Sequence, residues 1–156
     1  MTAAIEAKLA ELGLTLPEAA APVAAYVPAV EAGGLLHVSG QLPFKDGALM
    51  TGRMGEDRDL DFGREAAERC GLMLVAQIGK ALGGDLGRVE RIVKLGVFVN
   101  SAPGFTDQPK VANGASELMQ ALFGEAGRHA RSAVGVPALP LDAAVEVDAI
   151  VAIRPA

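Results

Sequence analysis

An arginine stands alone in the run Ala130-Arg131-Ser132-Ala133-Val134-Gly135-Val136, which is otherwise built of small and aliphatic residues. Its guanidinium is permanently charged and presents a planar fork of donors, so it needs an acceptor, either an internal carboxylate or a small acidic ligand. Both remain open at this point. Near the end of the chain, Val145-Glu146-Val147-Asp148-Ala149-Ile150 alternates apolar and acidic residues. A strand's period of two sends Glu146 and Asp148 to one face and the valines to the other. With the valines toward a core, the acids face a surface that is solvated in a monomer and becomes a lined pocket in an oligomer. Burial there would raise the pKa of Glu146 and suit it to orient a water or act as a general base.

Other polar residues interrupt the apolar chain. Ser39-Gly40-Gln41 ends a strand, and a glycine there lets a ligand or a neighbouring backbone come close. The plain alternative is a turn glycine. Asn113-Gly114, near the start of a helix, reads as a cap or turn. Tyr26 is the single tyrosine and, in an early strand, reads as core more than as a ligand contact. His129, beside Arg131, titrates near neutral pH and could shuttle a proton. No GxGxxG, GxxxxGK[ST], HExxH or GxSxG pattern occurs, so none of those sites for dinucleotides, phosphates, metals or acyl transfer is expected.

Composition narrows the remaining classes. The 156 residues suit one domain, and 51% hydrophobic with 21% charged residues suits a folded one. Lys+Arg 14 against Asp+Glu 19 gives −5, which disfavours non-specific binding to nucleic acid. One cysteine, Cys70, excludes an internal disulfide, and with two histidines it cannot fill a structural zinc site. Charged residues break up the N-terminal stretch, so neither a signal sequence nor a membrane span is expected, and the protein reads as cytoplasmic.

The elements that must position these residues follow from periodicity and punctuation. Thr2 to Leu12 reads as a helix stopped by Gly13. Val23 to Val27 reads as an extended piece between Pro22 and Pro28, and Gly33-Gly34 as the tight turn into Leu35 to Ser39. Phe44 to Asp57, with its Asp46-Gly47 turn, reads as an exposed loop or small hairpin that could serve as a lid. A helical stripe runs from Leu60 through Ala67, Cys70, Leu74 and Ile78 to Leu82, ended by Gly83-Gly84. Val89 to Val99 predicts a strand, Pro109 to Phe123 a second helix, and Ala130 to Val136 and Ala144 to Ile153 two closing strands. The fold class is therefore α+β: a mixed, mostly antiparallel sheet with two helices packed on one face and an extra N-terminal helix. Residues 1–18 read as a helical extension and residues 19–156 as a single domain.

Tyr26, Ser39-Gly40-Gln41-Leu42-Pro43, Asn113, Ala130-Arg131-Ser132 and Glu146-Val147-Asp148-Ala149 occur together in an order that resembles the RidA family. That family is also called YjgF or L-PSP endoribonuclease-like, and its fold is chorismate mutase-like. The resemblance spans about Pro22 to Ile153. It implies a homotrimer with sites between subunits, and cofactor-independent hydrolysis of enamine or imine acids, of the 2-iminopropionate type, to a 2-keto acid and ammonia. Arg131 matches the arginine that grips the substrate carboxylate, and Glu146 the glutamate that orients or activates water. Tyr26, Ser39, Gly40 and Asn113 match residues lining the cleft, with His129 beside them. No metal, nucleic-acid or membrane partner is implied. Many members carry a cysteine where this chain has Ala133, and a proline where it has His129. A non-catalytic protein that binds small carboxylates in the same clefts is the alternative.

Overall fold

The computed structural model describes residues 2–22 and 24–156. Helix α1 (Thr2–Glu11) leads into strands β1 (Ala29–Ala32) and β2 (Leu35–Gln41), a short hairpin of β3 (Phe44–Lys45) and β4 (Ala48–Leu49), and helix α2 (Leu60–Ala81). Strand β5 (Val89–Asn100), helix α3 (Gln108–Phe123), and strands β6 (Ala130–Val136) and β7 (Val145–Ile153) complete the chain.

The five long strands form one sheet in the order β1-β2-β7-β5-β6. Every pairing is antiparallel except β5 with β6, which is parallel and joined by α3 as its crossover. Helices α2 and α3 cover one face, α2 over β2 and β7, α3 over β5 and β6. The alternation is regular along the last strand, where Val145, Val147, Ala149, Val151 and Ile153 are buried and the residues between them are half-buried. Each valine or isoleucine so buried contributes about 1.5–3 kcal/mol. Ile5 and Leu9 of α1 enter the same core. No helix among the described residues is long and apolar enough to cross a membrane.

Local chemistry explains the helix positions. The Asp59 carboxylate accepts from the Phe62 N–H at 2.9 Å and so caps α2, which ends where Gly83 turns to a φ of 66°. The two helices approach closely because Gly114 of α3 lies against the Arg64 carbonyl of α2, where any side chain would collide.

Two expectations are corrected. The first strand is Ala29–Ala32, several residues after the predicted extended piece: Val23 lies outside the described residues, and Ala24, Ala25 and Tyr26 form bends. The turn decides the matter. Gly33 and Gly34 both take positive φ, 60° and 77°, the geometry of a two-residue hairpin loop, so Ala32 must pair with Leu35 and the strand must end at the turn. The Phe44 to Asp57 stretch does contain the small hairpin turning at Asp46-Gly47, but it is not wholly exposed. Met50 and Met54 are buried, and the Met54 N–H donates to the Asn100 carbonyl at 2.8 Å, which pins the second half of the stretch to the body.

Candidate functional site

Arg131 pairs with Leu95 in the β5–β6 ladder, so its side chain leaves the sheet on the helix face and meets α3. Its Nη1 donates to Asn113 Oδ1 at 2.9 Å and to Ser116 Oγ at 3.1 Å, and its Nη2 donates to the Pro109 carbonyl at 3.2 Å. All three acceptors are neutral, and no carboxylate among the described residues forms an ion pair with Arg131. Of five N–H donors, three are used. The Nε–H and one Nη2–H remain for a ligand, enough for a two-point grip on a carboxylate.

The cluster continues to His129. Its Nδ1 lies 2.7 Å from the Gly127 carbonyl, which only accepts, so Nδ1 carries the proton. Nε2 then accepts from the Ser116 hydroxyl at 2.8 Å, which leaves the Ser116 oxygen free to accept from Arg131. Burial holds the His129 pKa below its ordinary value against the opposing Gly127 bond, and the Arg131 charge lowers it further. The imidazole is thus a neutral support for the serine. Asn113 is the sixth residue of α3, so it is neither cap nor turn; Asn113 and Ser116 stand three apart on the helix, on one side. Ser116 was missed in the sequence, where only its spacing from Asn113 could have flagged it.

A second group assembles on the opposite face. Between Val38↔Ala149 and Gln41↔Val147, two residues of β2, Ser39 and Gly40, oppose the single Asp148 of β7. This bulge shifts the alternation, so Gln41 turns into the core and Gly40 faces outward. The Glu146 carboxyl packs on Gly40, and a Cβ built there would lie 2.8 Å from its Cδ. Asp148 packs likewise on Gly96 of β5, whose N–H it accepts at 3.1 Å. Burial raises the Glu146 pKa, and the neighbouring Asp148 charge adds to the rise. Asp148 is also raised by burial, partly offset by the Gly96 bond and by Lys94. The Ser39 hydroxyl donates to the Val27 carbonyl at 3.0 Å and its N–H to the Pro28 carbonyl at 2.9 Å, so the bulge holds the segment that carries Tyr26. Tyr26 is 48% exposed and is not core.

One chain does not unite the two groups. Arg131, Asn113 and His129 sit on the helix face; Ser39, Gly40 and Glu146 sit on the open face. By register, Arg131 is level with Ala149, two strands away from β7 and three residues along it from Glu146. Strand geometry makes that roughly 14 Å between Cα atoms. The open face also carries Val30, 50% exposed, and Val134, 46% exposed, and no described element of the chain covers it. Cys70 is buried on α2, its thiol pushed well above its ordinary pKa by burial, and so is not a nucleophile.

The chain is similar to known proteins along nearly its whole length. The family described as "YjgF/chorismate mutase-like, putative endoribonuclease" matches residues 6–152. Protein TCP17 of Trypanosoma cruzi is 56% identical over 149 residues, 94% of this chain and 92% of its own. A 2-iminobutanoate/2-iminopropanoate deaminase of Dermatophagoides farinae is 28% identical over 143 residues, 90% of this chain and 95% of its own. The crystal structure of Atu1372 from Agrobacterium tumefaciens superposes with a TM-score of 0.93 at 49% identity, over 98% of this chain and 94% of that one.

Proposed function

The chain belongs to the YjgF/chorismate mutase-like family, and from that premise we propose that it is a cofactor-independent, cytoplasmic deaminase of small imine acids, working at sites between the subunits of a homotrimer. The observation that carries this reading is the Arg131 guanidinium, anchored by three neutral acceptors and free of any carboxylate partner among the described residues. A half-buried arginine held in place by neutral groups keeps its full charge for an incoming anion.

The chemistry needs little more. The substrate carboxylate sits on the free edge of Arg131, with Asn113 and Ser116 fixing the guanidinium plane. Water attacks the C=N carbon while Glu146 takes one of its protons, which a carboxylate of raised pKa does more readily. Glu146 passes that proton to the substrate nitrogen, which becomes an amine on a tetrahedral carbon bearing the new hydroxyl. As the C–N bond breaks, Glu146 takes the hydroxyl proton and delivers it to the nitrogen, so the hydroxyl oxygen becomes the keto oxygen and ammonia leaves with both protons of the water. Arg131 and Glu146 are far apart within one chain, so the reading requires a neighbouring subunit to bring its Glu146 face to the Arg131 edge. The open sheet face, with its exposed valines and two half-buried acids, supports such packing.

The test is ammonia and keto-acid release from freshly generated 2-aminoacrylate. Acceleration over buffer, lost in Arg131→Ala with the assembly intact, is the expected result. Absence of acceleration, with small carboxylates raising the melting temperature and recovered unchanged, would instead establish a carboxylate-binding protein.

A further inference from the structure

Behind Gly40 lies a partly enclosed cavity of about 150 Å³. Tyr26 and Gly40 are shared with the group around Glu146; Phe44 and Met73 give it apolar walls, and the carboxamides of Gln41 and Gln77 line it. The segment ahead of β1, Ala20 to Pro22, closes one side. Two carboxamides so deeply buried, Gln41 at 6% and Gln77 at 3% exposure, are unusual in a core this apolar. Their bonds fix their orientation. Gln77 Nε2 donates to the Ala20 carbonyl at 2.8 Å and to Gln41 Oε1 at 3.3 Å, and Gln41 Nε2 donates to the Ser39 carbonyl at 2.9 Å. Because backbone carbonyls only accept, neither amide can be flipped. What remains unengaged among the described residues is one acceptor, Gln77 Oε1, and one N–H of Gln41.

We infer that this cavity is the side-chain pocket of the substrate site and selects imine acids with a neutral side chain of about four to six heavy atoms. The inference rests on the deaminase reading for the position of the reacting carbon and adds to it the substrate class. Size sets the chain length, since an apolar cavity of about 150 Å³ accommodates a benzene-sized group. Charge sets the neutrality: one amide donor and one amide acceptor cannot compensate a carboxylate taken out of water, and no cationic residue is among those lining the cavity. Position sets the direction: Tyr26 and Gly40 belong both to the cavity lining and to the group around Glu146, so a substrate carbon held near Glu146 lies next to the cavity. Gln77 is a positioning residue here, since it ties Ala20 and thereby the wall.

Calorimetric binding of 2-oxo acids to the full-length protein tests the pocket independently of turnover. Each methylene that enters adds about fourfold in affinity, so 2-oxohexanoate binds at least tenfold more tightly than pyruvate, and dianionic 2-oxoglutarate gains nothing over pyruvate. Ala21 is exposed at the rim, so Ala21→Leu leaves folding intact and shrinks the 2-oxohexanoate advantage, as does untying the wall in Gln77→Leu. Equal affinities across the series, or an advantage unchanged in Ala21→Leu, overturn the pocket and leave the deaminase reading standing if 2-iminopropionate is turned over. Graded binding without any turnover overturns the deaminase reading and keeps the pocket. No binding and no turnover overturn both.

Discussion

The Glu146 carboxyl lies against the Cα of Gly40, so close that a methyl group on Gly40 would meet its Cδ at 2.8 Å. The bulge that turns Gly40 outward and the strand period that turns Glu146 outward place the two on one face. Gly40→Ala therefore displaces the end of a flexible side chain and no backbone. Stability should change by less than about 1 kcal/mol, and deaminase turnover should fall at least about tenfold because the base is moved. A large loss of melting temperature with turnover retained would contradict this relationship.

Arg131 and Glu146 occupy different faces of the sheet, which makes complementation between subunits testable. Arg131→Ala and Glu146→Gln should each lower turnover at least about a hundredfold while leaving the oligomer intact. Unfolding and refolding the two variants together at equal amounts should restore activity to roughly a quarter of the sites, by random assortment in a closed ring. Activity no higher than that of the separate variants would mean that both groups come from the same subunit.

The pH response follows from Ser116 and His129. The native His129 pKa is lowered, so the folded state holds that proton less tightly than the unfolded chain. The stability it contributes is complete above the ordinary histidine value and is lost as pH falls through that value to the lowered one. Protonation also removes the acceptor that orients Ser116, and sets a second positive charge near Arg131. Ligand affinity measured between pH 7.5 and 5 should decline in the parent protein and stay flatter in His129→Asn. Ser116→Ala should raise KM about three- to tenfold with a smaller change in kcat.

The two acids on the open face carry the opposite sign. Burial raises both pKa values, so the folded state binds these protons more tightly than the unfolded chain. Their cost is absent at pH values below the ordinary carboxylate pKa and grows as pH rises through the raised values, reaching its full size at neutral pH. Glu146→Gln and Asp148→Asn should each raise the melting temperature by roughly 1–3 °C at pH 7, with the difference vanishing near pH 4. In Asp148→Asn the amide oxygen can still accept the Gly96 N–H, so that bond is not a confounding loss.

Much of this was legible from residues in order. Thr2 to Leu12, the stripe from Leu60 to Leu82, and the alternation from Val145 to Ile153 are local patterns, and each appears as an element close to its predicted bounds. The first strand was misplaced because the apolar stretch Ala24 to Val27 is not paired, whereas Ala29 to Ala32 is held by a turn whose register the apolar pattern does not express. The reading of Asn113 as a cap or turn follows residue type alone, whereas a helix that starts at Gln108 makes it the sixth helical residue, with its side chain turned to Arg131.

The sequence alone was enough for the element types, the sheet-and-helix layering and the opposite orientation of acids and valines on the last strand, because those follow from periods of two and 3.6 that neighbours along the chain express. Only the tertiary structure decided what surrounds each functional side chain. Arg131 meets Asn113 and Ser116 because β6 runs parallel to β5 beneath α3, Gly40 meets Glu146 because β2 spends two residues against one of β7, and Gln77 meets Ala20 across 57 positions. Such contacts depend on pairing register and helix approach, which are set by the packing of the whole core.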